Sequence, residues 1–239
     1  MLTMKKTVFA AALALTGVMA TQQAFAAIAL DRTRVVYNGD EKSISLNISN
    51  ENKNLPYLAQ AWIEDAQGNK ITSPLTVLPP VQRVEAGAKS QVKVQAAPAA
   101  ASLPQDKETL FYFNLREIPP RSNKPNTLQI ALHTRIKLFY RPTGLPGAPA
   151  EAPKQLKWQI ASEQGHAVLR ADNPTPYYVS FNGATYTSGG KRYDVDATMV
   201  APFSKAAFTV KGLQSASAGK LEFQSINDYG GIIAGSASL

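Results

Sequence analysis

His133 and His166 are the only imidazoles in the chain, and there is no cysteine to supply a thiolate. Nucleophilic hydrolysis needs a base beside an activated nucleophile, yet no G-x-S-x-G elbow surrounds any serine. Neither an H-E-x-x-H pair nor a G-x-x-x-x-G-K-[ST] loop occurs, so no zinc-protease or phosphate-cradling motif is encoded. His133 alternates with polar neighbours and His166 follows Gly165 in an expected turn. Both read as solvated surface histidines without metal-ligand spacing. Asp65, Asp194, Asp196 and Asp228 lack the spacing of a calcium-binding loop. The residue types point away from catalysis and imply no cofactor and no metal, although a carboxylate pair assembled from distant strands stays open at this level.

A different chemistry, burial combined with positive charge, is concentrated in LQIALHTRIKLFYRP, residues 128–142. Leu128, Ile130, Leu132, Ile136, Leu138 and Tyr140 alternate, with Thr134 as the polar break, while Gln129, His133, Arg135, Lys137 and Arg141 share the other face. Ordinary strands run about five or six residues, so the spacing predicts an unusually long, two-sided strand over 128–140 that needs a partner. Such a long apolar edge invites pairing with another chain.

The start of the chain sets the compartment. MLTMKK is basic, TVFAAALALTGVMA is apolar, and Ala24-Phe25-Ala26 is a small-x-small cleavage signal, so residues 1–26 read as a secretory signal peptide with cleavage after Ala26. Its apolar core is shorter than the roughly 20 residues of a membrane span, and no later stretch comes near that length, so no membrane insertion is expected. Removing 26 of the 239 residues leaves 213, with 23 basic against 17 acidic side chains and a net charge of +6. That charge suits an acidic partner or a cell-surface setting, and export argues against nucleic acid. Without cysteine in an exported chain, stability has to come from packing alone.

The elements that position these residues read as all-β. RTRVVY and SISLNIS flank Asn38-Gly39, which predicts a hairpin; YLAQAWIE and KITSPLTVL flank Gln67-Gly68-Asn69; SQVKVQA and TLFYFNLREI follow. With the 128–140 strand this gives about seven strands, the content of an immunoglobulin-like sandwich, and Trp62 is expected in its core. RPTGLPGAPAEAPK, residues 141–154, reads as a linker. LKWQIA, HAVLRAD, YYVSFNGATY, KRYDVDATMV, KAAFTVK and KLEFQSI, with a turn at Gly189-Gly190, supply a second sandwich. The expected domains are 27–144 and 145–239.

LDRTR (30–34), LPYLAQAWIE (55–64), PPVQR (79–83), LFYFNLREIPPRS (110–122), IKLFYRP (136–142), NPTPYYV (173–179) and INDYGG (226–231) together resemble the periplasmic pilus-assembly chaperones. The resemblance implies two immunoglobulin-like sandwiches set as an L or boomerang with a cleft between them. It implies a periplasmic chaperone of the chaperone-usher pathway that lends a strand to pilus subunits (pilins and adhesin) and passes them to an outer-membrane usher. It implies that Leu128, Ile130 and Leu132 enter the subunit groove, that Arg34 and Lys137 bind the subunit's C-terminal carboxylate, and that Glu108, Arg141 and Asp228 form an interdomain salt bridge. The short PPRSNKPN loop resembles the branch serving rod-forming pili. Self-association of the free chain is a further possible partner, and an exported β-sandwich adhesin or a hydrolase with a scattered site are the rival readings.

Overall fold

The computed structural model describes residues 26–239; the leader expected over residues 1–26 lies outside the described residues apart from Ala26. Ten strands make the first sandwich: β1 (Ile28–Leu30), β2 (Arg34–Asn38), β3 (Ser43–Asn50), β4 (Tyr57–Glu64), β5 (Lys70–Ile71), β6 (Leu75–Leu78), β7 (Val81–Val84), β8 (Lys89–Ala96), β9 (Thr109–Ile118) and β10 (His133–Arg141). One sheet has the order β1-β3-β8-β6 and the other β2-β10-β9-β4-β5, with β7 also paired to β4. Alternation decides what each strand buries. In β4, Ala59, Ala61 and Ile63 turn inward, and in β9 Phe113 and Leu115 meet Tyr37, Leu46 and Leu138 in one core.

The second sandwich comprises β11 (Lys157–Glu163), β12 (His166–Asn173), β13 (Val179–Ser188), β14 (Lys191–Val195), β15 (Met199–Val200), β16 (Ser204–Thr209), β17 (Lys220–Ile226) and β18 (Ile232–Ser238). Its sheets run β11-β12-β16 and β14-β13-β17-β18, with β15 paired to β13. Trp158 stacks among Phe181, Phe208 and Phe223 with ring centroids 5.6–6.2 Å apart, so aromatic packing supplies what a disulfide does in other small sandwiches. The tail pairs with β17 along all of β18. Gly189 and Gly190, both at positive φ, close the β13–β14 hairpin.

Several expectations need correcting. Asn38-Gly39 does not make a hairpin: β2 and β3 lie in different sheets, and β2 pairs in parallel with β10. Gly39 serves the crossover instead, its N–H bonded to the Arg141 carbonyl at 2.7 Å, and a Cβ there would press on the Tyr140 hydroxyl and Pro142. KITSPLTVL is two strands, β5 and β6, divided between the sheets. Trp62 is half-buried on the outer face of β4, because the parity that turns Ala61 and Ile63 inward turns it outward. There its indole donates to Glu64 and stacks on His133 at 4.9 Å. The stretch 141–154 is not all linker: Arg141 closes β10, Leu145 packs on the second core, and α1 (Ala152–Gln155) buries Ala152 there. Finally, the strand expected over 128–140 begins only at His133.

Candidate functional site

β9 covers one edge of β10 from His133 to Tyr140. β2 covers the other edge only from Lys137 to Arg141, since it begins at Arg34, the partner of Lys137. The second edge of β10 is therefore open from His133 to Ile136. Upstream, β9 ends at Ile118 and is followed by Pro119 and Pro120, which have no N–H to give a ladder. Continuing the register sets Pro119 opposite Ile130 and Pro120 opposite Gln129, so the ladder loses its donors where residues 129 and 130 would join it, and β10 begins only at His133. Leu128, Ile130 and Leu132 are 86%, 68% and 40% exposed. In an extended β10 they fall on the same side as Ile136 and Leu138, which face the core, but Leu132 sits opposite the last inward residue of β9, Glu117, and Leu128 and Ile130 lie past the strand's end; none of the three belongs to the core cluster.

Two cations mark the place where the open edge starts. Arg34 is 8% exposed; its Nη1 donates to the Ile226 carbonyl at 3.0 Å, and its Nε is buried without a partner among the described residues. Lys137, its register neighbour, donates from Nζ to Ser180 Oγ of the second sandwich at 2.9 Å. Burial lowers the Lys137 ammonium to about 8, and repulsion from Arg34 adds to the shift. Burial likewise disfavours the Arg34 charge, against the attraction of Asp228 and Glu108. Holding two like charges together in a half-closed cleft costs stability, and the group that relieves the cost is an anion such as a carboxylate.

Behind this pair, Arg141 joins the two sandwiches. Its Nε donates to Glu108 Oε1 at 2.7 Å, and its terminal nitrogens grip both Asp228 oxygens at 2.7 and 2.9 Å. Glu108 also accepts the Tyr178 N–H at 2.7 Å, while its own N–H donates to the Pro176 carbonyl. Burial pushes the Glu108 carboxyl up in spite of Arg141. Burial pulls Arg141 the other way, but its bonds to Asp228 and the two carboxylate charges hold it above the usual guanidinium range. Phe139 and Tyr178 add an aromatic contact at 5.4 Å across the same junction. A cavity of ≈ 150 Å³ lies here, lined by Arg34, Phe139, Arg141, Tyr178 and Ile233.

The structure thus gathers Arg34, Lys137, Glu108, Arg141 and Asp228 into one cleft, with Leu128, Ile130 and Leu132 on the ribbon leading out of it. His133 and His166 are both exposed, and among the described residues no cluster of His, Cys, Asp or Glu could hold a metal. Two further residues belong with these: Ser180, which no local sequence signal marks, and Glu117, which has one, since it occupies the inward parity of β9 after Phe113 and Leu115.

Residues 27–146 match the family model for the pili and flagellar-assembly chaperone, PapD N-terminal domain, and residues 151–237 that for the pili assembly chaperone PapD, C-terminal domain. The chain belongs to the pilus-assembly chaperone family. It is 43% identical over 229 residues to the probable fimbrial chaperone YadV of Escherichia coli K12, covering 92% of each chain. It is 50% identical over 208 residues to the chaperone protein PapD of Escherichia coli, covering 86% of this chain and 84% of that one. The crystal structure of YadV matches with a TM-score of 0.79 at 44% identity, over 89% of this chain and 100% of that one. A Salmonella enterica complex of the SafA pilin with the SafB chaperone matches with a TM-score of 0.74 at 28% identity, over 91% and 98%. The resemblance carried by the seven sequence motifs is confirmed, as is the all-β, two-sandwich fold, and the family is one of chaperones rather than enzymes.

Proposed function

We propose that this protein is a periplasmic chaperone of the chaperone-usher pathway, which stabilises pilus subunits by lending them the ribbon of residues 128–136 and delivers them to an outer-membrane usher. The observation that carries this reading is the open edge of β10, which begins where Arg34 and Lys137 sit side by side. A subunit that lacks a strand finds there unpaired backbone groups, three apolar side chains without a core, and an anion site at a fixed distance from them. Burial of Leu128, Ile130 and Leu132 contributes roughly 1.5 to 3 kcal/mol each. Hydrogen bonds from the two cations to a terminal carboxylate add about 1.5 to 3 kcal/mol each before the cost of association is subtracted.

The anchor also sets register. Leu132 lies about 16 Å of extended chain from Lys137, so gripping the subunit's end decides which side chain enters which part of the groove. Slipping by one residue would turn every apolar group away. Glu108, Arg141 and Asp228 act as the brace that fixes the cleft angle, and export by the leader ending at Ala26 places the whole in the periplasm. Among the described residues no helix is long and apolar enough to cross a membrane.

Affinity purification from periplasm tests the reading. The tagged chain should carry an otherwise unstable subunit, and Arg34→Ala should lose it while keeping its own β-sheet spectrum. Equal subunit recovery with Arg34→Ala sinks the anchor, and glycan or cell binding by the purified chain alone would favour an adhesin instead.

A further inference from the structure

β9 turns Phe113 and Leu115 into the core, and the next residue on that side is an acid, Glu117, at 5% exposure. Two main-chain amides from distant parts of the chain hold its carboxylate. Ile28 N donates to Oε2 at 2.9 Å, and Leu132 N donates to Oε1 at 3.3 Å. One amide belongs to β1, and the other is the root of the open ribbon. The β9–β10 register sets Leu132 opposite Glu117, and Glu117 N donates to the Leu132 carbonyl at 3.0 Å. In a hydrogen-bonded antiparallel pair the reciprocal bond runs from Leu132 N to the Glu117 carbonyl. Here the side chain takes that N–H instead.

We propose that Glu117 is a positioning residue for strand lending: its carboxylate ends the ladder at Leu132 and ties the root of the ribbon to β1. The proposal rests on the reading of 128–136 as a lent strand. A buried carboxylate is tolerated when its oxygens are satisfied, and here each oxygen has one amide. Removing either donor leaves the other bond to carry the buried charge alone, so the N-terminal strand and the ribbon are coupled through one side chain. The ribbon therefore leaves the sandwich from a fixed point, and less ordering remains to be done when a subunit arrives.

Amide hydrogen exchange on the free chain reads the tie directly. Glu117→Gln keeps the shape but offers one acceptor oxygen and turns an NH2 toward the second donor, so Ile28 and Leu132 should exchange about tenfold faster while Phe113 and Leu138 keep their protection. The probe for capture is the subunit that co-purifies with the wild-type chain, added from denaturant. Its association should slow about tenfold with Glu117→Gln, with dissociation unchanged. Ile28→Pro provides a second route, because it deletes the N-terminal donor and leaves Glu117 in place; Leu132 should again exchange faster. Unchanged Leu132 exchange in Ile28→Pro, or wild-type association in Glu117→Gln, overturns the tie. Ile130→Asp separates this inference from the reading beneath it. If Ile130→Asp abolishes capture and Glu117→Gln does not slow it, the tie alone is wrong; if Ile130→Asp captures normally, the lent strand itself is wrong.

Discussion

Replacing Lys137 with methionine should make the free protein more stable while destroying its use. The methionine keeps the length and apolar stem of the side chain and removes the ammonium, which burial and Arg34 hold at about 8 instead of 10.5. Taken at face value a shift of that size is worth about 3 kcal/mol; solvent reaching the half-open cleft reduces this, leaving about 1 to 2 kcal/mol. The folded state gives up the proton at a lower pH than the unfolded state, so unfolding takes up a proton between about 8 and 10.5. Wild-type stability therefore rises with pH across that window, and the variant, lacking the group, shows no such rise. Urea unfolding at pH 7 and at intervals up to pH 10.5 measures both effects, and subunit capture at pH 7 measures the functional loss. A variant less stable than wild type at pH 7, or one with the same rise above pH 8, would refute the claim that the cleft stores unfavourable charge awaiting an anion.

Ile130→Asp should leave the unfolding midpoint of the free chain unchanged, because Ile130 is 68% exposed, yet it should prevent recovery of the subunit complex in co-purification; Gln129→Asp should be far milder. Arg141→Ala leaves Glu108 buried without its cation and should cost about 3 to 5 kcal/mol in urea unfolding, whereas the pair Glu108→Gln with Arg141→Met should recover much of that loss. Tyr186→Phe removes the hydroxyl bonded to the Ser217 carbonyl and should cost about 1 kcal/mol in the same assay, with subunit capture untouched.

Much of the architecture was legible because parity is a local property. The alternation in YLAQAWIE and TLFYFNLREI, and the glycine pair at 189–190, name the strands, the buried faces and one hairpin without reference to the rest of the chain. Pairing is not local, and composition near a turn does not record it. Asn38-Gly39 carries the composition of a tight hairpin, but the partner of β2 lies a hundred residues downstream in β10, and nothing near residue 38 records that. Analogy with sandwiches in general points Trp62 into the core, although its own neighbours Ala61 and Ile63 set the opposite side inward. Alternation extends β10 back to Leu128, whereas a ladder also needs a donor-bearing neighbour, and Pro119-Pro120 withholds one. Arg34 and Lys137 could be named from family motifs; that they are register partners, with Ser180 reaching Lys137 from the other sandwich, follows only from the fold.

The parallel pairing of β2 with β10 also bears on timing. Arg34 and Lys137 are separated by most of the first sandwich, so they can meet only after every strand between them has emerged, and long-range pairings of this kind form slowly. A half-folded copy therefore has the ribbon before Arg34 and Lys137 have come together beside it. If the pair clasps a client's tail as proposed, competence to hold a subunit waits on this long-range pairing, and unfinished copies lack the means to set a client's alignment.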